Sequence, residues 1–452
     1  MVMNIKTICT YLLLLAALHS YSQPGSGWYT EGDDFAPEQR IRISVTNVLD
    51  IPLENQPIVV KREQLPVQNI PERWIAVVDP QLPSNPEPTF EQLKEMSGYL
   101  RRKETHGHSI VLQVDDLDKD GIWDEIFFIS NLAPKETREF YIYIGFYERG
   151  MYEHHVHAAI GNYGRHTVPF WESKDMGWKL WYPHDLDIHG KRDPMLTAYY
   201  EYSTNNSGYY MPWELGTDIM TVAQTFGAGG MCVFEDPNNP EQPTRAYHSP
   251  YKDLGPYLDT RYAYDVVYNG PLRSMIEVTT TNWNSENGFY ELKQYYSAYA
   301  HKSWSTVKVA FDKFMPPTHE AMFGAGIRKI MDEYKSINKN GFAISMGRDI
   351  EARIPDEDIG EDVLIVPWQG IGIVIKEKYN PVYHEINNYG GNHVFMIPQT
   401  ADKTYEYMVI DGWSFGKVNN TEEEFVEYVE TEARKYNNPP VVDVHEFERK
   451  NP

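Results

Sequence analysis

From Ile41 onward the chain returns repeatedly to one pattern: a short run of β-branched and aromatic residues, closed by Pro, Asn, Asp or Gly. IRISVTNV, PIVVKRE, RWIAVVD, SIVLQVDD, EIFFISN and REFYIYIG follow one another through residues 41–147, which predicts an antiparallel β unit. Only Phe90–Leu100 breaks it, with Phe90, Leu93, Met96 and Leu100 at helical spacing. Further along, Val266–Trp283 and Phe289–Phe311 read as long alternating strands. FAISMG, VLIVPWQ, IGIVIKE, HVFMIPQ and YEYMVIDGW extend the pattern to Trp413. Two helices are expected, Glu320–Tyr334 and Glu422–Tyr436, the second with Phe425, Val429, Ala433 and Tyr436 on one face. A chain so patterned is all-β, with broad antiparallel sheets and a few short helices. Its expected organisation is a leader (1–22), a polar lead-in (23–40), an N-terminal β unit (41–150) and a large β-sandwich (160–450).

The formal charge of −24 argues against nucleic acid or an anionic membrane surface as partner. Residues 1–22 read as a secretory signal: Lys6 first, an apolar core over Tyr11–Leu18, then Ser20-Tyr21-Ser22 before Gln23. The apolar run is too short to span a bilayer, so a periplasmic or secreted protein without stable membrane association is expected. Of the two cysteines Cys9 lies in the leader, which leaves Cys232 alone and no intramolecular disulfide.

Chemistry concentrates between Tyr163 and Gly230. Arg165, Lys174, Lys179, Lys191 and Arg192 stand there against Glu172, Asp175, Asp185 and Asp187, interleaved with His166, His184, His189, Trp171, Trp178, Trp181 and Tyr182. Flat rings stack on the C–H faces of sugars and cations hold carboxylate or sulfate, so the mixture suits an anionic sugar. A buried strand pair with solvated charges is the plainer reading. Aromatic residues make up 14% of the chain, a level shared by glycan-handling proteins and ordinary β-sandwiches.

Three smaller motifs stand out. Asp116, Asp118, Asp120 and Asp124, with Gly121 at the sixth position, match the front of a calcium loop, although Phe127 stands where the bidentate Glu belongs. They are read as ligands of a structural calcium ion or as an acidic hairpin turn. Glu153-His154-His155-Val-His157 suggests zinc but lacks a fourth ligand at a recognised spacing. Gly227-Ala-Gly229-Gly230 lacks the third spaced glycine and βαβ setting of a dinucleotide loop, and is read as a tight turn or close packing.

The runs WESKDMGWKLWYP, GKRDP, GTDIM and TFGAGGM resemble a bacterial family catalogued as a domain of unknown function. The resemblance extends from DLDKDGIWDE through NGPLRSMIEV to the final helix. The genes of that family lie in clusters for breakdown of uronate-containing polysaccharides, and one branch is an ulvan-oligosaccharide dehydratase. The resemblance implies a large antiparallel β-sandwich of the galactose-mutarotase type, in agreement with the strand pattern. It also implies removal of water from the non-reducing-end uronate of an oligosaccharide, sulfated or not, leaving a 4,5-unsaturated end for an unsaturated glucuronyl hydrolase.

Such an elimination needs a cation at the carboxylate, a base at the C5 proton and an acid at the departing 4-hydroxyl. Expected in these roles are Lys191 and Arg192 as cations, His184 as base and Tyr210 as acid. Arg165, Glu172, His189, Tyr209, Trp213 and Asp218 are expected to bind substrate, with His248 and Arg273 in reserve. Many relatives carry a Tyr-His pair ahead of the Gly-x-Asp segment. This chain has Tyr209-Tyr210-Met-Pro-Trp213-Glu214-Leu-Gly216-Thr-Asp218, so that histidine's role passes to another residue. A polysaccharide lyase, a non-catalytic glycan-binding protein and a sugar epimerase or mutarotase remain open.

Overall fold

The computed structural model describes residues 28–29, 37–82, 90–95, 109–146, 152–163, 166–181, 186–203, 214–222, 224–246, 260–339, 341–349, 354–356, 361–363 and 366–450. The leader and most of the polar lead-in lie outside them.

The first strands are β1 (Gln39–Thr46), β2 (Leu53–Lys61), β3 (Ile75–Val78), β4 (Leu112–Asp115), β5 (Glu125–Leu132) and β6 (Thr137–Ile144), with the short helix α1 (Phe90–Glu95) between β3 and β4. Next come β7 (Val156–Tyr163), β8 (His166–Ser173), β9 (Met176–Leu180), β10 (Leu186–Lys191), helix α2 (Ala198–Ser203) and β11 (Gly216–Asp218). The middle of the chain forms β12 (Gly230–Phe234), β13 (Arg261–Asn269), β14 (Arg273–Asn284), β15 (Phe289–Tyr299), β16 (Trp304–Met315) and β17 (Met322–Arg328). Then follow β18 (Lys335–Lys339), β19 (Phe342–Gly347), β20 (Ile354–Asp356), β21 (Glu361–Val363) and β22 (Gln369–Ile375). The chain closes with β23 (Val382–Ile386), β24 (Asn392–Ile397), β25 (Thr404–Trp413), helix α3 (Glu422–Asn437) and β26 (Val441–Arg449).

Two sheets, β26-β1-β6-β3 and β2-β5-β4, enclose the first core around Ile43, Val45, Val60, Phe128 and Ile142. Its edge strand comes from the far end of the chain: β26 runs antiparallel to β1, from Gln39↔Arg449 to Thr46↔Val441. The last strand of the expected 160–450 sandwich therefore completes the N-terminal unit.

The main body is an antiparallel β-sandwich. An eight-stranded sheet, β13-β14-β15-β16-β25-β22-β19-β18, shares one core with the five-stranded sheet β11-β10-β9-β8-β7 and with β12-β17-β24-β23. Trp171 ties the layers together, its ring centroid 4.8 Å from Tyr296 and its indole N–H donating to Ser305 Oγ at 2.9 Å. On the outer face of the large sheet α3 buries Phe425, Val429 and Ala433, as its periodicity predicts. Thr421 caps it, accepting from the Glu424 N–H at 3.2 Å, and three glutamates occupy its first turn beside the positive end of the dipole.

Three expectations are corrected. Val266–Trp283 is not one strand: β13 and β14 meet at Gly270-Pro271-Leu272, where proline has no ladder N–H to give. Phe289–Phe311 likewise folds back between β15 and β16, with His301 in the left-handed region (φ 61°). The helix expected over Glu320–Tyr334 is strand β17. Phe323, Ala325 and Ile327 alternate into the core, and Gly324 and Gly326, weak helix formers, sit where Phe234 and Val394 leave no space for a Cβ. The helix expected at Phe90–Leu100 is described over Phe90–Glu95, and Met96 and Leu100 lie outside the described residues.

Close packing accounts for the glycine-rich turn, as read from sequence. Gly227 has φ +56°, and a Cβ there would sit 2.2 Å from the Leu186 carbonyl oxygen. The turn thereby carries the chain past β10 into β12. Arg273 joins the two units: its guanidinium pairs with Asp115 at 2.6 Å and with Glu125, both on the first unit. Gln113 accepts from the Arg273 N–H at 3.0 Å and donates to the Arg273 carbonyl at 2.9 Å. Among the described residues no helix is long and apolar enough to cross a membrane.

Candidate active site

Side chains alternate across a strand, and the five-stranded sheet uses the alternation strictly. Trp171, Trp178, Leu180, Leu186 and Ile188 point into the sandwich core. The opposite face carries Glu172, Lys179, Asp187, His189, Lys191 and Asp218, brought side by side by the pairs Asp187↔Lys179 and His189↔Asp218. All six are nearly or fully buried.

Lys179 is the hub of the first cluster. Its ammonium donates to His189 Nε2 at 2.8 Å and Asp218 Oδ2 at 2.9 Å, and lies 3.3 Å from Asp187 Oδ2. An ammonium only donates, so Nε2 of His189 is the acceptor and Nδ1 carries the ring proton. Burial, then the charges of Lys179 and Lys191, hold the His189 pKa well below its ordinary value, so the imidazole is neutral. Burial and the adjacent Asp218 carboxylate push Asp187 well up, toward its protonated form. The Lys179 ammonium thus has carboxyl oxygens of Asp218 and Asp187 beside it, the pairing on which a buried charge is tolerated. The ring of Trp181 lies 5.5 Å from the ammonium.

Glu172 and Lys191 form the second cluster. Lys191 donates to a Glu172 carboxylate oxygen, to the Ser173 carbonyl at 2.6 Å and to the Met195 carbonyl at 2.8 Å, so all three of its N–H donors are engaged within the fold. Glu172 in turn accepts from the Thr197 N–H (2.8 Å), the Thr197 hydroxyl (3.0 Å) and the Ala198 N–H (2.9 Å). His157 Nδ1 lies 3.8 Å from Glu172 Oε1, and burial lowers its pKa against the pull of that carboxylate. Arg192, one residue past β10, is half-buried, with its guanidinium carbon 5.9 Å from the Phe415 ring. Lys191 and Arg192 thus diverge, as alternation requires.

Of the residues expected from sequence, Glu172, His189, Lys191 and Asp218 are gathered on this face. Arg165, His184, Tyr209, Tyr210, Trp213 and His248 lie outside the described residues. Arg273 is remote, in the inter-unit joint. Lys179 and Asp187 carry no role in the sequence reading, and His157 only a place in the zinc-like motif. For Asp187 the signal was the strict apolar–ionisable alternation of LDIHGK, which marks a sheet whose second face also needs partners.

In the acidic turn the carboxylates of Asp116, Asp118 and Asp120 place ligand atoms within 4.8 Å of one another. Asp124 is employed differently, accepting from the Leu117 N–H at 2.7 Å, while Asp116 accepts from the Gly121 N–H at 2.8 Å. The histidines of Glu153–His157 do not converge: His155 packs on His301 at 4.6 Å, whereas His157 faces Glu172.

The model of a family described as a domain of unknown function (DUF4861) matches residues 45–442. No curated protein matches the chain in sequence. Among solved structures, an α-mannosidase from Enterococcus faecalis V583 is 11% identical, with TM-score 0.45 over 98% of this chain and 49% of its own. A protein in glycosyl hydrolase family 38 from Enterococcus faecalis is 10% identical, with TM-score 0.46 over 96% of this chain and 50% of its own. The chain thus spans about half the length of these neighbours.

Proposed function

The chain belongs to this family of unknown function, and from that premise we propose that it is an oligosaccharide dehydratase, a hydro-lyase exported to the periplasm. Its substrate is the non-reducing-end uronate of a uronate–rhamnose oligosaccharide of the ulvan type. The C5–H bond breaks and its electron pair becomes the C4=C5 bond. The C4–O bond breaks with it, and the hydroxyl leaves as water after taking a proton from an acid. The product carries the unsaturated uronyl end that an unsaturated glucuronyl hydrolase consumes.

The observation that carries the reading is the contact of a neutral imidazole, His189, with the ammonium of Lys179 on one sheet face. Removing a proton next to a carboxylate needs an uncharged base, and the charge that develops needs a nearby cation; in this reading the Lys179 ammonium turns from His189 Nε2 to the uronate carboxylate, which frees that lone pair for the C5 proton. Asp187, biased toward its protonated form beside Asp218, supplies a proton to the same network. Tyr209 and Tyr210 are the proposed acids, and Arg165, His184 and Trp213 the proposed further contacts to the sugar.

Complete burial of Lys179 and His189 favours a second reading, in which the cluster is structural and the protein binds glycans without turning them over. The test is incubation of the purified mature protein with saturated ulvan oligosaccharides, read by ultraviolet absorbance of the conjugated product. Wild-type turnover that disappears in His189→Ala supports the dehydratase. Binding without product selects the second reading.

A further inference from the structure

Helix α2 is six residues long, far below the length at which a helix holds itself in water. What fixes it is the buried carboxylate of Glu172, which receives three hydrogen bonds from Thr197 and Ala198 at its start. Glu172 is held in turn by Lys191, whose two remaining donors go to backbone carbonyls on either side. A buried ion pair is a costly way to stabilise a fold, and its better-attested use is to specify one arrangement. The arrangement here is a short helix packed over β7 and β8.

That helix displays two aromatic rings to solvent. Tyr199 is 77% exposed and Tyr200 36% exposed, with ring centroids 5.7 Å apart and planes at 79°. The pair is edge to face, so Tyr200 braces Tyr199, the more exposed ring. Two rings, at most about 150–250 Å² each, are far too small for a stable protein partner, which takes about 800 Å² per side. The Tyr199 ring matches the face of one pyranose ring. The charge of −24 disfavours an anionic membrane as the alternative occupant.

The geometry points to Tyr199 and Tyr200 as a stacking subsite for a sugar ring of the oligosaccharide, with Glu172 and Lys191 as positioning residues that fix its height above the sheet. The inference rests on the reading of the protein as one that acts on uronate oligosaccharides. It gives Glu172 and Lys191 a task that does not require them to touch substrate.

The test is calorimetric titration of the full mature chain with saturated ulvan oligosaccharides, beside steady-state turnover. Tyr199→Ala is expected to weaken binding about three- to tenfold and to raise KM by the same factor with kcat unchanged. Tyr199→Phe, which keeps the ring, should bind like wild type, and both exposed-site variants should keep the wild-type Tm. Wild-type affinity and KM in Tyr199→Ala and in Tyr200→Ala would overturn the subsite, whatever the turnover. Wild-type protein that does not bind the oligosaccharide overturns it equally. Weakened binding in Tyr199→Ala, with no turnover by any variant, sustains the subsite and removes only the dehydratase reading.

Discussion

Asp411 gives the most quantitative handle on this fold. It sits on β25 inside the sandwich, fully buried, where one carboxylate oxygen accepts from the Trp178 indole N–H at 2.6 Å. The other, Oδ1, has no hydrogen-bond partner among the described residues. Burial pushes its pKa from 3.8 up to about 8, against the pull of the Trp178 hydrogen bond. The folded protein therefore keeps a proton that the unfolded chain releases, and this group's contribution to stability falls as pH rises from 3.8 to about 8. At about 1.4 kcal/mol per pH unit, roughly 6 kcal/mol is lost across that interval. Asp411→Asn keeps the acceptor for Trp178 and removes the titration. Scanning calorimetry of both proteins at pH 5 and pH 8.5 isolates the group. About 4 kcal/mol of that falls between pH 5 and pH 8.5, so relative to wild type the variant should gain roughly 4 °C between the two conditions, at roughly 1 °C per kcal/mol for a chain of this length. Parallel pH profiles would refute the reasoning and mean that Asp411 ionises inside the fold at little cost.

Further predictions follow from the two clusters and the acidic turn. Lys191→Met leaves the Glu172 carboxylate buried without its cation and should cost about 3–5 kcal/mol in thermal or urea unfolding. Most of that should return when Glu172→Gln is added, and additive losses would contradict the pairing. His189→Ala should lower kcat roughly 10²–10⁴-fold. Because the folded imidazole titrates below the usual 6.5, the acid limb of the wild-type kcat/KM profile should also lie below that value. If Asp116, Asp118 and Asp120 hold calcium at the roughly 10⁻⁴–10⁻³ M affinity of extracellular modules, 10 mM calcium adds about 1.4–2.7 kcal/mol of stability. Asp116→Asn should abolish that gain, and identical melting with calcium and with chelator would assign the turn to its own hydrogen bonds.

Much of the fold was legible because strand periodicity is local. β1 to β6 lie where alternation and turn residues put them, and α3 where Phe425, Val429 and Ala433 recur. The failures were non-local. β17 was expected within a helix, and only its neighbours β12 and β24 select the extended form. That β26 returns to β1 follows from a pairing across some four hundred residues, as Arg40 and Glu448 attest at 2.6 Å, and no local pattern reports it. At the site, composition identified the strands but not the connections between their side chains. Lys191 looked like a free cation beside Arg192, yet its donors are spent on Glu172 and two carbonyls. Lys179, passed over as one charge among several, holds the centre because its partners Asp187, His189 and Asp218 come from two other strands.

The central claim is that this protein takes water from the end of a uronate oligosaccharide, and mass spectrometry of the reaction with saturated ulvan oligosaccharides tests it most directly. The account predicts a product lighter by one water, with chain length unchanged and new ultraviolet absorbance. Shorter chains carrying that absorbance would mean a lyase that cuts between sugars. An unchanged spectrum from protein that binds the same oligosaccharide would contradict the account and leave a glycan-binding sandwich.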